Sequence, residues 1–252
     1  MAQKISLHSL LDICNEISPF SLQESWDNSG LILGDPNAEI TAVALSLEAD
    51  ENAIAAAQNG SCLIAHHPLI FSPLKQLDLS TYPAKLLALA IHKNISLIAM
   101  HTNFDRTHLN RYVAKEILGW QESDCDGFIC TSKFDGSFDE LLSLTREKFG
   151  AIKSAVSTDR RIKKVALIAG SGGSFAGETG AIDADALITG DLKYHDAIAA
   201  KTAGIGVIDA GHYETERDFP LVLHAALKDA LKEKGINAII APSKNPFSDG
   251  IR

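Results

Sequence analysis

The amino-acid sequence predicts an α/β fold with mixed or mostly parallel sheets, and two observations support that prediction. First, short runs of Ala, Ile, Val and Leu recur along the chain and alternate with segments of helical periodicity. This alternation indicates βαβ units, and continuous apolar strands are typical of sheets that are buried on both faces. Second, polar residues directly follow several of these runs. Ligands of open α/β sheets bind beyond the carboxyl ends of the strands, so the pattern also indicates a functional site.

The predicted elements begin with an amphipathic helix over 7–17, where apolar residues recur at helical spacing. An aromatic and polar loop, ESWDNSGLILG, follows at 24–34. We expect it to bury the ring of Trp26 and to hydrogen-bond a ligand-bearing loop through Asp27 or Asn28. The remaining predicted elements, in chain order, are strands at 42–50 and 61–65, a helix at 84–93, and strands at 95–100, 163–170, 184–190, 204–211 and 237–243.

Length and charge narrow the class of protein. A chain of 252 residues suits one large lobe or two intimately packed lobes, and the polar, turn-rich stretch 121–137 marks a candidate boundary. The chain has 23 basic and 32 acidic residues, a net charge of −9. This balance disfavours nucleic-acid binding, which needs clustered Lys and Arg. No apolar run approaches the length of a membrane span.

The four cysteines are Cys14, Cys62, Cys125 and Cys130. No two of them form a C-x-x-C pair, and the opening of the chain has no apolar segment typical of a secretory signal. We therefore expect free thiols in a reducing cytoplasm.

Five of the nine histidines lie at predicted strand ends: His66, His67, His101, His195 and His212. His66 and His67 stand just past a strand in a turn set by Pro68, where their rings can converge or serve two neighbouring ions. The alternative is a surface pair without function. The pattern becomes more specific when carboxylates are included.

Asp105 follows His101 by four residues, and Glu216 follows His212 by four. If residue 212 opens a helix, the second pair is stacked on one face. The alternatives are a helix N-cap at Asp105 and a solvated helix start at residues 212–216. His66, His67, Asp105, His212 and Glu216 together offer three imidazoles and two carboxylates. This donor set suits Zn, Mn, Fe or Ni, and since carboxylates can bridge, five side chains can hold two divalent ions.

Two further motifs are candidates for catalysis and substrate binding. Asp191 and His195 could form an acid/base and substrate-orienting pair; the alternative is an N-cap at Asp191 and a packed histidine. Gly170, Gly172 and Gly173 follow a strand and could hold a phosphate on backbone N–H groups. The run lacks the Lys-Ser/Thr ending of a Walker loop, so a tight strand–helix turn is the alternative.

The chain resembles the Nif-three-like dinuclear-metal family, whose bacterial members are often labelled GTP cyclohydrolase 1 type 2. The matching segments span nearly the whole chain: 24–34, LIAHHPLIF at 63–71, LIAMHTNFD at 97–105, VALIAGSGG at 165–173, ALITGDLKYHDA at 186–197 and DAGHYETE at 209–216. The resemblance implies that His66, His67, Asp105, His212 and Glu216 are the metal ligands. It places Asp191 and His195 around the site, with His101 as a further candidate.

The resemblance also implies the Nif-three-like fold with two α/β lobes. We assign 1–125 plus 207–252 to the metal-binding lobe and 126–206 to the second. It further implies a homohexameric ring with sites that face an inner cavity.

Three functional hypotheses follow. The first is a metal-dependent hydrolase acting on a purine nucleotide, with GTP converted to formate and dihydroneopterin triphosphate, Glu216 bridging the two ions, and phosphoester hydrolysis as a variant. The second is a non-catalytic metal-binding scaffold or metal-handling hexamer. The third, a DNA-sliding ring, is disfavoured by the net charge.

Overall fold

The computed structural model describes residues 3–150, 152–178 and 180–247. The chain divides into two compact units. The first unit comprises Met1–Phe104 and Asp218–Arg252, and the second comprises Asp105–Arg217. The chain therefore leaves the first unit, builds the whole of the second and returns to the first.

The strands are β1 Ile5–Ser6, β2 Gly30–Leu33, β3 Glu39–Ile40, β4 Ala42–Ser46, β5 Cys62–Ala65, β6 Ser96–Ala99, β7 Asp124–Asp126, β8 Ile129–Gly136, β9 Ser154–Val156, β10 Ile162–Ser171, β11 Ala186–Gly190, β12 Gly206–Asp209 and β13 Asn237–Ile240.

The α-helices are α1 Leu7–Ile17, α2 Glu51–Ala56, α3 Ala84–His92, α4 Thr102–Phe104, α5 Asn110–Tyr112, α6 Phe138–Phe149, α7 Tyr194–Ala203, α8 His212–Glu216 and α9 Phe219–Glu233. π-helical turns at Asp105–Leu109 and Val113–Ile117 join α4 and α5 into one helical segment, and 3-10 turns occur at Phe20–Leu22 and Gly173–Ala176. Among the residues that the structure describes, no helix is both long and apolar enough to cross a membrane.

The first unit contains a five-stranded sheet in the order β13-β4-β5-β6-β2. The first four strands of this order are mutually parallel, and β2 joins the edge antiparallel to β6. All four residues of β5 and all four of β6 are buried. Side chains such as Leu63, Leu97 and Ile54 form the core on the helical side, so the sheet is covered as its apolar sequence requires.

The second unit contains a six-stranded sheet in the order β7-β8-β10-β11-β12-β9. Strands β10, β11 and β12 are parallel, whereas β8, β9 and the β7–β8 hairpin are antiparallel additions. Leu187, Val207 and Ala166 lie in its core. The α/β class with mixed sheets is therefore confirmed, and every predicted strand is present.

The compact units divide the chain at different residues from those expected in the sequence. The structure divides at 104/105 and 217/218 rather than at 125/126 and 206/207. The reason lies in the pairing of strands, because β7 is hydrogen-bonded to β8 and β12 to β11 and β9, all within the second sheet. Among the predicted ligands, His66 and His67 thus belong to the first unit, and Asp105, His212 and Glu216 to the second.

The expectation of four free thiols is wrong, since Cys125 and Cys130 form a disulfide. The two residues stand directly opposite each other in the β7–β8 hairpin, a cross-strand juxtaposition that no C-x-x-C motif would reveal. Cys14 and Cys62 are free and fully buried. Burial raises the pKa of the Cys14 thiol to about 12, and burial together with the neighbouring Cys14 raises the pKa of Cys62 well above its usual value.

We expect Cys14 and Cys62 to resist alkylation in the folded protein, because the reactive species is the thiolate and both thiols are held neutral and inaccessible. Native protein treated with iodoacetamide should gain no label. Denaturation without a reductant should expose two labelling sites, and denaturation with a reductant should expose four, as counted by intact mass. Labelling of Cys14 or Cys62 in the native state would contradict the buried environment.

Candidate metal centre

Neighbouring parallel strands bring three histidines of the first unit together. His66 directly follows β5, and His101 follows β6 by two residues, so both lie at the carboxyl edge of the sheet. His67 is adjacent to His66. One ring nitrogen from each of the three lies within 4.8 Å of one from each of the others. A group of ligand atoms with this spacing could hold a metal ion.

The Nδ1 atom of each ring donates a hydrogen bond to an oxygen within the first unit. His66 Nδ1 donates to the carbonyl oxygen of Met100 at 2.9 Å. His67 Nδ1 donates to Glu48 Oε1 at 2.6 Å, and His101 Nδ1 donates to Asp27 Oδ1 at 2.7 Å.

These oxygen partners determine which nitrogen of each ring carries the proton. An Nδ1–H that donates to an oxygen leaves Nε2 as the basic nitrogen of the neutral ring, which is the form that binds metal. Carboxylates behind His67 and His101 orient the rings and raise their basicity, as partners of metal-bound histidines do. The three residues therefore fit a divalent ion of the class predicted from the sequence.

The loop that contains Asp27 supports the cluster, which confirms the expected contact with a ligand-bearing loop. Besides His101, Asp27 accepts hydrogen bonds from the backbone N–H and the hydroxyl of Thr102. Asn28 Nδ2 donates to the carbonyl oxygen of Ile70 at 2.6 Å, in the loop that follows His66 and His67. The expected burial of Trp26 is wrong, because its side chain is 58% exposed.

Asp27 is held ionised. Burial alone would raise its pKa, but the hydrogen bond and charge of His101, with the bonds from Thr102 and the Asn28 amide, bring the pKa well below its usual value. In a denatured chain the same carboxyl would titrate near ~3.9.

Asp27→Asn is expected to destabilise the metal-free protein at pH 7 by more than Asp12→Asn, which changes an exposed carboxylate on α1. A depressed pKa contributes stability that is complete above about pH 4 and is lost as the pH falls through the folded-state value. The stability difference from wild type should therefore shrink between about pH 4 and pH 3. Urea unfolding at a series of pH values measures it, and a difference independent of pH would contradict the assignment.

In the second unit, the parallel neighbours β11 and β12 bring Asp191 and His212 together. Asp191 follows β11 with φ 53°, a left-handed conformation that Asp adopts more readily than most residues. His212 opens α8, and its Nδ1 donates to Asp191 Oδ2 at 2.6 Å. Asp191 thus orients this ring, as Asp27 orients His101.

Glu216 lies one helical turn after His212, as the four-residue spacing predicts. Its Oε2 is 2.9 Å from His212 Nε2, and the side chain is 3% exposed. A carboxylate oxygen of the equally buried Asp105 lies within 4.8 Å of one of Glu216. Two buried carboxylates this close repel each other unless a cation or a proton is shared between them. The carboxylates and the imidazole of His212 are donor types that suit a divalent metal.

Gly170 and Gly190 have no side chain, and this leaves room for Glu216 and for the start of α8. Gly170 has φ +66°, and a Cβ there would lie 2.0 Å from Glu216 Oε1. A Cβ at Gly190 would lie 2.6 Å from the backbone nitrogen of His212. Neither position accepts a side chain without displacing Glu216 or the start of α8.

A model of the Duf34/NIF3 (NGG1p interacting factor 3) family matches residues 5–246. The chain belongs to the Duf34/NIF3 family. It is 44% identical over 245 residues to the GTP cyclohydrolase 1 type 2 homolog of Campylobacter jejuni, with 96% of this chain and 99% of that protein covered. It is 43% identical to GTP cyclohydrolase 1 type 2 of Helicobacter pylori strain J99, covering 85% of this chain and 88% of the relative.

A solved structure has the same fold as this chain. The crystal structure of Staphylococcus aureus protein SA1388 superimposes with a TM-score of 0.81 and 24% identity, covering 97% of this chain and 99% of that one. The resemblance stated from the sequence is thus confirmed. The ligand set of this Duf34/NIF3 chain stays a prediction, and the geometry within each unit is in keeping with it.

The predicted pair of Asp191 and His195 has other partners in this Duf34/NIF3 structure. Asp191 hydrogen-bonds to His212, while His195 is exposed near the start of α7 and contacts the ring of Tyr194. Asp191 therefore orients His212, because adjacent strands bring the two together, and the acid/base roles of Asp191 and His195 stay a prediction.

The glycine run forms the tight strand–helix turn that was the alternative to a phosphate cradle. The Gly170 amide donates to Thr215 Oγ1 at 3.0 Å, and the Gly172 amide donates to Thr189 Oγ1 at 2.9 Å. Gly173 is buried, and a Cβ there would lie 3.2 Å from the Cα of Leu192. Two of the three amides are thus engaged within the protein rather than presented to a ligand.

Sequence reasoning missed Glu48 as the partner of His67. Glu48 lies within the predicted strand 42–50, but β4 ends at Ser46. Had the strand been ended four residues earlier, at Ser46, Glu48 would have joined the other polar residues at carboxyl strand ends.

Proposed function

We propose that this Duf34/NIF3 protein is a dinuclear metal-dependent hydrolase of a purine nucleotide, with GTP as the candidate substrate. The observation that carries the proposal is the histidine cluster of the first unit, in which three rings lie within metal-binding distance of one another and each Nδ1 bonds an oxygen that orients its ring. The names of the bacterial relatives, at 43–44% identity, support GTP as the first substrate to test.

The proposed ligands of two divalent ions are His66, His67, Asp105, His212 and Glu216, with His101 as an additional donor. Glu216 is the proposed bridge, because a carboxylate has two oxygens for two cations whereas each imidazole offers one nitrogen. Zn, Mn, Fe and Ni all suit this mixed N/O set. Such ions would supply Lewis-acid activation of water and polarisation of the attacked group.

The chain's own residues would hold the reacting groups in place. Asp27 and Asp191 fix the tautomer and direction of His101 and His212. His195 is exposed, and in this proposal it carries protons between the site and solvent. The net reaction adds water to GTP, opens the imidazole ring of guanine at C8 and releases formate with dihydroneopterin triphosphate.

Purified protein loaded separately with Zn, Mn, Fe or Ni and incubated with GTP should release formate and, after oxidation, a fluorescent pterin. Protein treated with a chelator is the control and should release neither. Release of inorganic phosphate without formate would identify phosphoester hydrolysis instead. Uptake of two metal equivalents with no product from any ion would reject the hydrolase and favour the metal-binding scaffold.

We also propose a homohexameric ring and a cytoplasmic location. Family membership supports the first, and the free, buried Cys14 and Cys62 are in keeping with the second. Sedimentation velocity should give six chains per particle. Intact mass after rapid acid quenching of cells tests the second, because a reducing cytoplasm would open the Cys125–Cys130 disulfide, and a disulfide that persists inside cells would contradict the location.

A further inference from the structure

Two exposed aromatic rings stand beside the histidine cluster of the first unit. Trp26 is 58% exposed and Phe71 is 50% exposed. Their ring centroids are 5.9 Å apart at an interplanar angle of 49°. The centroid of each lies 6.3 Å from that of His101, in edge-on geometry. The pair therefore forms an aromatic surface next to the proposed metal ligands.

The neighbours of these rings fix their positions. Asp27, next to Trp26, bonds His101 and Thr102. Asn28 bonds the carbonyl oxygen of Ile70, the residue before Phe71. The loop of Trp26 and the loop of Phe71 are thus joined to each other and to His101 by short polar contacts. These polar contacts hold the two loops beside His101, while both rings remain exposed.

Exposure of a Trp at a rigid position needs an explanation, since aromatic side chains contribute most when they are covered. Trp120, the other of the two tryptophans, is 8% exposed and belongs to the core. A flat partner would suit the exposed Trp26, because an indole offers a broad π-face on which a planar heteroaromatic ring can stack.

We propose that Trp26 is the stacking surface for the base of a purine nucleotide and that Phe71 supports the indole from the side. The inference rests on the proposed function and adds to it a binding site for the base. Stacking on Trp26 would set the base beside His101, where the imidazole portion of a guanine would meet the proposed metal ligands.

The size of the surface favours a base over a second copy of the chain. Burying a whole aromatic side chain removes about 150–250 Å² from solvent, and Trp26 and Phe71 are already about half covered. A stable protein–protein interface needs roughly 800 Å² from each partner. A nucleobase, in contrast, is matched in area by one indole face.

The test uses the fluorescence of Trp26 itself. In a Trp120→Phe background, Trp26 is the sole tryptophan of the chain. With excitation at 295 nm and chelator present, guanosine and GTP should both quench the emission, whereas ribose 5-phosphate should not. The absence of quenching by both guanosine and GTP would overturn the proposal.

Calorimetric titration of guanosine into variants of the full-length protein separates stacking from general apolar contact. Trp26→Ala should weaken binding about tenfold, in line with the loss of one base–aromatic stack. Trp26→Phe should keep most of the affinity, and Phe71→Ala should lose less than Trp26→Ala. Leu77→Ala is the matched control, since it removes a 64% exposed apolar side chain without removing a ring, and it should bind as wild type does.

Metal content per chain should be unchanged in Trp26→Ala, which keeps this site distinct from the ligands. Base binding without formate release would support stacking and reject the cyclohydrolase. If the protein releases formate and Trp26→Ala binds guanosine as tightly as wild type does, the cyclohydrolase would be supported and stacking on Trp26 would be rejected. An emission shift of Trp26 that depends on protein concentration and not on guanosine would show that a second copy covers the rings, and would overturn the proposal.

Discussion

Glu216→Gln is expected to remove more than one metal equivalent per chain, the largest loss among single ligand changes. The substitution keeps the size of the side chain but removes its charge. In the proposed site Glu216 would hold both ions, so its loss would weaken the binding of both and remove a negative charge that offsets the repulsion between two dications. His66→Ala or His67→Ala should remove mainly one equivalent, because an imidazole binds through a single nitrogen.

Glu214→Gln is the matched control, since it makes the same chemical change two residues away on α8. Glu214 contacts Lys153 at 3.4 Å and is not a proposed ligand. Elemental analysis after dialysis gives the ions per chain. If Glu216→Gln keeps both ions, the carboxylate is an outer partner of His212 rather than a bridge.

Thermal unfolding measures the effect of Glu216→Gln on the stability that metal binding adds. Metal binding at about 100 times Kd stabilises the folded chain by ~2.7 kcal/mol, which corresponds to several degrees in Tm for a chain of this size. Glu216→Gln should lose most of this metal-dependent rise. Without metal, its Tm should stay close to that of wild type, because the amide removes the repulsion with Asp105 and also weakens the contact with His212 Nε2.

Gly170→Ala is expected to lose metal as Glu216→Gln does and, in addition, to destabilise the metal-free protein. The added Cβ would lie 2.0 Å from Glu216 Oε1 and 3.5 Å from His212 Nε2, so the carboxylate must leave its position. The left-handed backbone at φ +66° costs a further ~1–2 kcal/mol for a residue with a Cβ.

Gly119→Ala separates the two contributions. Gly119 has φ +75°, and nothing lies within 4 Å of a Cβ placed there. It should therefore show the backbone cost of ~1–2 kcal/mol in urea unfolding and retain both ions. Equal metal content in Gly170→Ala and Gly119→Ala would show that Glu216 tolerates displacement and does not hold an ion.

Much of the candidate site could be read from local pattern. His66, His101, Asp191 and His212 each follow a strand, and the carboxyl ends of neighbouring parallel strands meet at one edge of a sheet. The helical spacing of His212 and Glu216 is equally local, and the 2.9 Å contact between them agrees with it. These inferences need only the period of the chain and the direction of its strands.

Other features depended on which strands became neighbours. Asp191 was expected to pair with His195, four residues away, but β11 lies beside β12 and brings His212 to it. Trp26 was expected to be buried because it is large and apolar, yet the polar residues that follow it hold its loop at the surface. Cys125 and Cys130 met because the β7–β8 register sets them opposite each other.

The sequence by itself determined the α/β class, the family and the donor types, because these depend on hydrophobic period, on motif order and on the chemistry of His, Asp and Glu. Only the tertiary structure decided which oxygen each histidine Nδ1 bonds, since that depends on Glu48, Asp27, Asp191 and the Met100 carbonyl. It also decided the conformation and space required at Gly170. Those partners are far apart in sequence from the rings they orient, and no local pattern encodes contacts that form when separate strands pack side by side.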